Sequence, residues 1–483
     1  MDPLAQLARQ GAMIQRLAAD SRRCAPGVAF FAFRGERADG RNFIPEAIAR
    51  GAAAVLWEAE GFAWRDDWRV PNAAVPDLRR QAGALAHAFY GRPSEALWIC
   101  GVTGTNGKTT CSQWIAAALT GVGAKCGVIG TLGAGFPGAL EVLGHTTPDV
   151  LDVHRLLADM RRAGAAAAAI EVSSHGLEQG RVGGVAFDCA LFTNLSHDHL
   201  DYHGTMDAYA AAKARLFESE GLACAVLNLD DVFGAQLARR LAGRRVRTIG
   251  TSLFPAAASG EFIVASAIDG EHVRIASSWG EAEVELRAPG RFNVSNALGV
   301  AGVLVAHGMA FQDAMRCLAQ LPDVPGRMQR LGGKGEPLVV VDYAHSPDAL
   351  DKVVQALRPV ADARGGRLVA VFGAGGERDR AKRAPMGAAV ARLADRIVLT
   401  SDNPRSEDPL AILREIEAGV DAPHVVEPDR ARAIDAAIAD AADADVVLVA
   451  GKGHETTQEI AGRRLPFSDA EAARAALARR GKR

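Results

Sequence analysis

Short apolar runs closed by polar or glycine-rich turns recur along the chain and alternate with longer amphipathic stretches. Runs of that length predict buried strands, and the amphipathic stretches predict helices. Val28 to Phe33 and Ala53 to Trp57 predict strands, with a helix over Phe43 to Arg50 between them. The turn cluster Gly91-Arg92-Pro93-Ser94 predicts a linker. Leu97 to Val102 then enters a glycine-rich turn and a helical stretch from Thr109 to Leu119, giving strand, loop and helix in sequence. Ala165 to Val172 and Ala186 to Thr193 predict further strands, and Asp149 to Ala163 a helix. Such alternation predicts an α/β fold with a mostly parallel sheet.

A Pro- and Gly-rich string, PDVPGRMQRLGGKGEP, marks a second boundary near Arg330. Beyond it four segments, LVVVDYAHSPDAL, RLVAVFGAGGERDR, RIVLTSDNPRSEDP and DVVLVAGKGHETT, each run from apolar strand to polar turn. They predict a C-terminal doubly wound, Rossmann-like domain whose ligands collect at those turns. The expected domains are 1–93, 94–329 and 330–483. A length of 483 residues agrees with that number at roughly 150 residues per domain.

Composition narrows the field. Hydrophobic residues are 49% and charged residues 23%, near globular averages, which argues against disorder. Lys plus Arg is 55 against Asp plus Glu 57, a net charge of -2, so no whole-chain attraction to nucleic acid or an anionic membrane exists. No apolar run approaches the about 18 residues of a spanning helix, and the start MDPLAQLARQ lacks the pattern of a signal peptide. A cytoplasmic protein is expected. The seven cysteines (Cys24, Cys100, Cys111, Cys126, Cys189, Cys224, Cys317) are scattered, never CxxC, and are expected to be reduced core residues.

The run Gly101-Val102-Thr103-Gly104-Thr105-Asn106-Gly107-Lys108-Thr109-Thr110 resembles a Walker A loop, with Val102 where that pattern has its first glycine. Glycines let backbone N–H groups turn onto phosphate oxygens, Lys108 adds a positive charge, and Thr109 offers a hydroxyl to Mg²⁺. The bland alternative is a glycine turn that binds nothing; the flanking strand and helix weigh against it. Glu171, at the exit of the Ala165 to Val172 run, is placed to hold Mg²⁺ beside those phosphates, although a strand-end carboxylate is commonly only a helix cap. The next strand exits into NLSHDHLDYH. Three histidines in seven residues suggest zinc, but no cysteine joins them, which favours a magnesium role for one and structural roles for the others.

In DAYAAAKARLF, Lys213 shares a helical face with Tyr209, Leu216 and Phe217. Snorkelling of the ammonium to water is one reading. The other is burial that lowers its pKa until the neutral amine captures carbon dioxide as a carbamate able to bind a cation. The sequence leaves both open.

Together TGTNGKTT, EVSSHGLEQGRV, TNLSHDHLDYHGTMDAYAAAKARLF, GRFNVSNALG, PGRMQRL, DYAHSPDAL, GGERDRAKRAPM, DNPR and GKGHE resemble the Mur ligase family. The N-terminal DSRRCAPGVAFFAFRGERADGRNFIPEAIARGA is similar to the first domain of the branch that adds the third residue of the peptidoglycan stem peptide. The resemblance implies three domains: one for a uridine nucleotide-sugar, a central P-loop ATPase domain, and one for the incoming amino acid. It implies that ATP phosphorylates the γ-carboxylate of D-glutamate in UDP-N-acetylmuramoyl-L-alanyl-D-glutamate, and that an amine then attacks the acyl phosphate. By the same resemblance Lys108, Glu171, His199 and Lys213 are catalytic; Thr109, Glu171, His199 and a carbamate on Lys213 serve two Mg²⁺ sites. Gly104, Thr105, Asn106, Gly107, Lys108, Thr109, Thr110, Asn296 and Arg327 match ATP positions. Ser21, Arg37, Ala38 and Asp39, with Thr146, Thr147, Ser173, Gln179 and Arg181, match nucleotide-sugar positions. His145 departs from the asparagine usual before the Thr-Thr pair. A monomer is expected.

The amino acid is read from the SDNPR turn. Meso-2,6-diaminopimelate is a lysine with a second carboxylate, so its pocket needs a cation there, whereas a lysine pocket avoids one. Arg405 supplies that cation from a proline-stiffened turn, and DNPR is the tetrapeptide of the diaminopimelate branch. Arg378, Asp402, Asn403, Pro404, Gly451 and Glu455 match the rest of the pocket, with Glu455 facing the substrate ammonium. A lysine-adding ligase or a folylpolyglutamate synthase shares the ATPase core but not the SDNPR turn and DSR segment. A nucleotide-driven switch leaves the third domain's polar turns unexplained, and a nucleotide-sugar binding protein has no use for Lys108 or Glu171.

Overall fold

The computed structural model describes residues 2–36, 38–257 and 260–481. The chain packs into two compact units, Met1–Ser252 with Ala257–Ile263 and Gly299–Ala314, and Leu253–Ala256 with Val264–Leu298 and Met315–Arg483. The first unit holds the expected 1–93 domain and part of the expected 94–329 domain, whose residues 264–298 and 315–329 fall in the second unit.

It opens with a four-stranded parallel sheet in the order β1 (Arg16–Ala18), β2 (Val28–Ala32), β3 (Ala54–Glu58), β4 (Asn72–Val75). Every residue of β2 is buried because both faces are covered: Ala29 and Phe31 join one apolar cluster, Val28, Phe30 and Ala32 the other. The expected helix covers Ile44–Ala49. The linker does not stay a bare turn: Pro93–Ala96 is a short helix, and Ser94 Oγ accepts from Ala186 N at 3.0 Å, tying it to the following domain.

The second sheet of this unit contains β5 (Trp98–Thr103), β6 (Cys126–Gly130), β7 (Gly133–Phe136), β8 (Ala139–Glu141), β9 (Ala167–Glu171), β10 (Cys189–Phe192), β11 (Cys224–Asn228) and β12 (Arg247–Ser252). Their order is β12-β11-β10-β5-β9-β6-β7-β8. All neighbours are parallel except β6 with β7 and β7 with β8. The order fixes the chemistry: β9 pairs with one edge of β5 and β10 with the other, so Glu171 and the histidine loop flank the glycine loop that leaves β5. The helix after that loop covers Lys108–Gly121.

Three strands the apolar pattern did not reveal follow: β13 (Glu261–Asp269), β14 (His272–Ser277) and β15 (Gly280–Glu285), the last two an antiparallel hairpin. In the second unit β16 (Gln329–Gly332), β17 (Leu338–Asp342), β18 (Leu368–Phe372), β19 (Arg396–Leu399), β20 (His424–Val426) and β21 (Val446–Ala450) form a sheet in the order β16-β17-β21-β18-β19-β20. Only β16 runs antiparallel. Both faces are covered, Leu338 and Val340 lying in one cluster and Val339 and Val341 in the other. The four polar turns all leave the carboxyl ends of parallel strands, as a doubly wound sheet requires. A separate hairpin joins β22 (Thr457–Ile460) to β23 (Arg463–Pro466). The seven cysteines are free, and all but Cys317 are buried. No helix among the described residues is long and apolar enough to cross a membrane.

Candidate active site

The glycine loop is shaped by close approach. Gly104 has φ +149°, and a Cβ there would lie 1.9 Å from Thr193 Oγ1; Gly107, at φ +85°, turns the chain into the helix. The exit of β10 buttresses the loop: Thr105 N donates to Asn194 O at 2.7 Å, Asn106 N to Asn194 Oδ1 at 3.0 Å, and Thr193 Oγ1 to Asn106 O at 2.6 Å. Lys108 Nζ donates to Gly104 O and Thr105 O, both at 2.9 Å, so its ammonium folds over the loop at a helix N-terminus, where anions are favoured. Thr110 is buried in the first turn of that helix.

Glu171 is fully buried and its carboxylate accepts three hydrogen bonds. Oε2 accepts from Thr109 Oγ1 and Thr131 Oγ1, and Oε1 from Thr131 N, all at 2.9 Å. Thr131, which sequence reasoning missed, also lies 3.0 Å from Thr146 Oγ1. Thr147 Oγ1 donates to Glu171 O at 2.8 Å and lies 3.1 Å from Ser173 Oγ. Among the described residues no group of three or more His, Cys, Asp or Glu is placed to hold a metal unaided. The hydroxyl and carboxylate of Thr109 and Glu171 are nevertheless the hard oxygen donors Mg²⁺ prefers, and that ion ordinarily completes its shell with water and phosphate oxygens. The residues fit the ion.

The histidine loop folds over the same strand ends. His199 holds a left-handed φ of +53°, and burial, with the Lys108 charge, pushes its imidazole below the ordinary range against the pull of Asp198. A neutral imidazole is the ligand form. His175 packs between His199 at 4.9 Å and Tyr202 at 4.2 Å, and burial takes it down to about 4. His203 Nε2 meets Ser174 Oγ at 3.0 Å, a structural role.

Lys213 does not snorkel. It is 1% exposed, with Tyr209, Leu216 and Phe217 equally buried around it. Its Nζ donates to Gly104 O at 2.9 Å and lies 4.3 Å from the Tyr209 ring centroid. Burial, reinforced by Lys108, lowers its pKa well below the ordinary lysine value.

At the expected nucleotide-sugar positions, Ser21 Oγ donates to Glu46 Oε2 at 2.8 Å. Asp39 is gripped by Arg41 through two of its nitrogens, at 2.9 Å and 2.7 Å, which lowers the carboxyl to about 2. Arg37 lies outside the described residues, and Ala38 accepts from Gly35 N at 2.9 Å. Arg181 Nη1 donates to Thr147 O at 2.7 Å and its Nε to Gln179 Oε1 at 2.8 Å, which joins the Gln179, Thr147 and Ser173 positions into one network. His145 is exposed.

In the second unit, Asn403 and Glu455 meet at 2.8 Å, and Lys452, fully buried and unassigned from sequence, donates to Asn403 Oδ1 at 3.0 Å and Glu455 Oε2 at 2.8 Å. Burial opposes ionisation of Glu455, but the Lys452 ammonium holds it below the ordinary carboxylate value. Gly451, at φ +118°, admits no side chain: a Cβ would fall 2.4 Å from the buried Asp402 carboxylate. Pro404 O packs where a Cβ on Gly376 would be, at 2.0 Å. Arg405 Nη1 donates to Gly376 O, and Arg378 is exposed nearby, its Cγ and Arg405 Nη1 both within 4 Å of the position a Gly375 Cβ would take. Arg327 lies over the Tyr343 ring at 4.5 Å, and Asn296 Nδ2 reaches Asn293 Oδ1 at 3.4 Å.

Positive φ at non-glycine residues falls at some of the same places. Of seven such residues described, His199 and Arg405 are expected site residues, and Met328 and Glu377 adjoin Arg327 and Arg378. Each costs on the order of 1 kcal/mol, strain that clusters at functional sites.

A phosphate-binding loop with a carboxylate beside it, and a cluster of polar turns on a doubly wound sheet, are parts that an ATP-dependent, amide-forming ligase requires. Residues 13–90, 102–304 and 326–453 match, respectively, the Mur ligase family catalytic domain, the Mur ligase middle domain and the Mur ligase glutamate ligase domain. The chain belongs to the Mur ligase family. A relative from Chromobacterium violaceum is 51% identical over 484 residues, covering 100% of this chain and 98% of its own. Another, from Ectopseudomonas mendocina, is 51% identical over 485 residues, covering 99% and 98%. Both are named UDP-N-acetylmuramoyl-L-alanyl-D-glutamate–2,6-diaminopimelate ligase. A solved structure of a ligase of that name superposes with a TM-score of 0.70 at 37% identity, covering 97% of this chain and 95% of that one.

Proposed function

We propose that this chain joins meso-2,6-diaminopimelate to the D-glutamate of UDP-N-acetylmuramoyl-L-alanyl-D-glutamate at the expense of ATP, as a cytoplasmic monomer. Residues 1–93 serve the nucleotide-sugar, 94–329 ATP and 330–483 the amino acid. The observation that carries the reading is the 2.9 Å contact between Thr109 and Glu171 at the foot of the glycine loop, which sets two hard oxygen donors beside a phosphate-binding turn. The names of the relatives support the choice of substrates.

A carboxylate oxygen of D-glutamate attacks the γ-phosphorus of ATP; the bond to the β-bridging oxygen breaks and ADP leaves. The amine of diaminopimelate then adds to the acyl-phosphate carbon, a tetrahedral intermediate forms, and phosphate departs with the carbonyl restored. Two anions meet in the first step, so the protein's task is positioning and charge neutralisation. Lys108 and the loop N–H groups hold the phosphates, while Thr146, Thr147, Ser173 and Arg181 orient the acceptor. Asn296 and Arg327 hold the nucleoside side of ATP. Thr109, Glu171, His199 and a carbamate on Lys213 would hold two Mg²⁺ ions, which supply further neutralisation of the phosphate oxygens when bound.

In the third domain Arg405 and Arg378 pair with the substrate's distal carboxylate, and Glu455, fixed by Lys452 and Asn403, takes its ammonium. Arg405→Ala is expected to raise the KM for diaminopimelate about a hundredfold, the loss of a bidentate charged contact. The KM for ATP should stay within twofold (about 0.4 kcal/mol). Steady-state kinetics in each substrate checks this, and an unchanged diaminopimelate KM defeats the assignment.

A further inference from the structure

The Glu36 carboxylate lines a cavity of about 700 Å³ together with Arg79, Gln179 and Tyr202. A glutamine amide has two N–H donors and one oxygen to offer. In Gln179, Nε2 donates to Glu36 Oε2 at 2.8 Å and to Tyr202 Oη at 3.3 Å, and Oε1 is taken by Arg181. Tyr202 donates its one proton to Glu36 Oε1 at 2.8 Å, and Arg79 Nη2 stands 3.5 Å from the same oxygen. Gln179 and Tyr202 therefore have no N–H or O–H left for a ligand. Yet Gln179 is a position expected to hold the nucleotide-sugar, whose diphosphate and carboxylate are anionic, and Glu36 directly precedes the expected substrate positions 37 to 39.

We propose that Glu36 is an intramolecular competitor: an anion of this chain that occupies a donor set built for an anion of the nucleotide-sugar and has to leave before the substrate seats. The inference rests on the nucleotide-sugar reading of Gln179 given above. A protein that spends part of its time with the donors occupied binds more weakly by the fraction of competent molecules. Glu36 thus sets the affinity of the first domain for its substrate without touching the chemistry.

The test is calorimetric titration of UDP-N-acetylmuramoyl-L-alanyl-D-glutamate into the full chain. Glu36→Gln keeps the volume and removes the charge, and is expected to tighten binding about three- to tenfold, with the KM for ATP unchanged. In a Tyr202→Phe background, where one of the contested donors is already gone, the gain from Glu36→Gln should shrink to less than half. Unchanged or weaker binding in Glu36→Gln overturns the proposal, as does an equal gain in both backgrounds, which would mean simple charge repulsion. Failure of the wild-type chain to bind the nucleotide-sugar overturns the substrate reading along with this one; binding that ignores Glu36 overturns this one alone.

Discussion

Lys213→Ala is expected to lower kcat by about a thousandfold, the scale of losing a preorganised charge at a reacting phosphoryl group, with the KM for diaminopimelate little changed. Lys213 is buried, and among the described residues its ammonium donates to Gly104 O at 2.9 Å. An ammonium there repels Lys108 and any bound Mg²⁺, so a lysine kept as a cation would work against the site. The neutral amine that burial favours can add to carbon dioxide, releasing one proton and leaving a carbamate with one N–H still available to Gly104 O. The cation becomes an anion, and the sign of the site is corrected. Lys213→Arg, which keeps the charge but cannot form a carbamate, should be as inactive as the alanine variant. A short carboxylic acid such as formate should partly restore Lys213→Ala, and wild-type enzyme in isotopically labelled bicarbonate should show a carbamate carbon by NMR. Absence of both the rescue and the signal would leave Lys213 a structural lysine.

Glu171→Gln should cost a comparable factor, about a hundred- to a thousandfold in kcat, and for a cleaner reason. The side chain is held by Thr109, Thr131 Oγ1 and Thr131 N, in space that Gly130 leaves open: a Cβ there would fall 2.1 Å from Oε1. A glutamine fits the same contacts: its oxygen accepts from Thr131 N, and the Thr109 and Thr131 hydroxyls rotate to accept from its amide. Folding stability should therefore change by less than about 1 kcal/mol, while the negative charge and the Thr109 lone pair facing the phosphates are lost. A thermal melt alongside the kinetics separates the two effects. Activity near wild type would remove Glu171 from the metal site.

Much of this site was legible in the sequence, and the reasons differ residue by residue. The strand, glycine loop and helix from Trp98 to Gly121 are local, and local periodicity with glycine spacing suffices to place them. The face shared by Tyr209, Lys213, Leu216 and Phe217 was also readable, because helical spacing is local; whether that face was covered was not, since its cover comes from the glycine loop, a distant part of the chain. Thr131 escaped because it acts through Glu171 on another strand, and Lys452, although only three residues from Glu455, because its burial and its contact with Asn403 come from a distant turn. Glu36 and Tyr202, 166 positions apart, are the extreme case. Strands β14 and β15 escaped because their apolar residues alternate with polar ones, whereas β13 does carry a short apolar run, Phe262 to Ala265, with Ile263, Val264 and Ala265 buried.

The most direct test is phosphate release by the purified chain supplied with ATP, Mg²⁺ and UDP-N-acetylmuramoyl-L-alanyl-D-glutamate, with either meso-2,6-diaminopimelate or lysine as the third substrate. The account predicts sustained release, matched by one peptide-bonded product per phosphate, with diaminopimelate, and at most about a hundredth of that rate with lysine, which lacks the carboxylate Arg405 pairs with. Equal rates with both amines, or ATP consumption that proceeds with neither and yields no product, would contradict it.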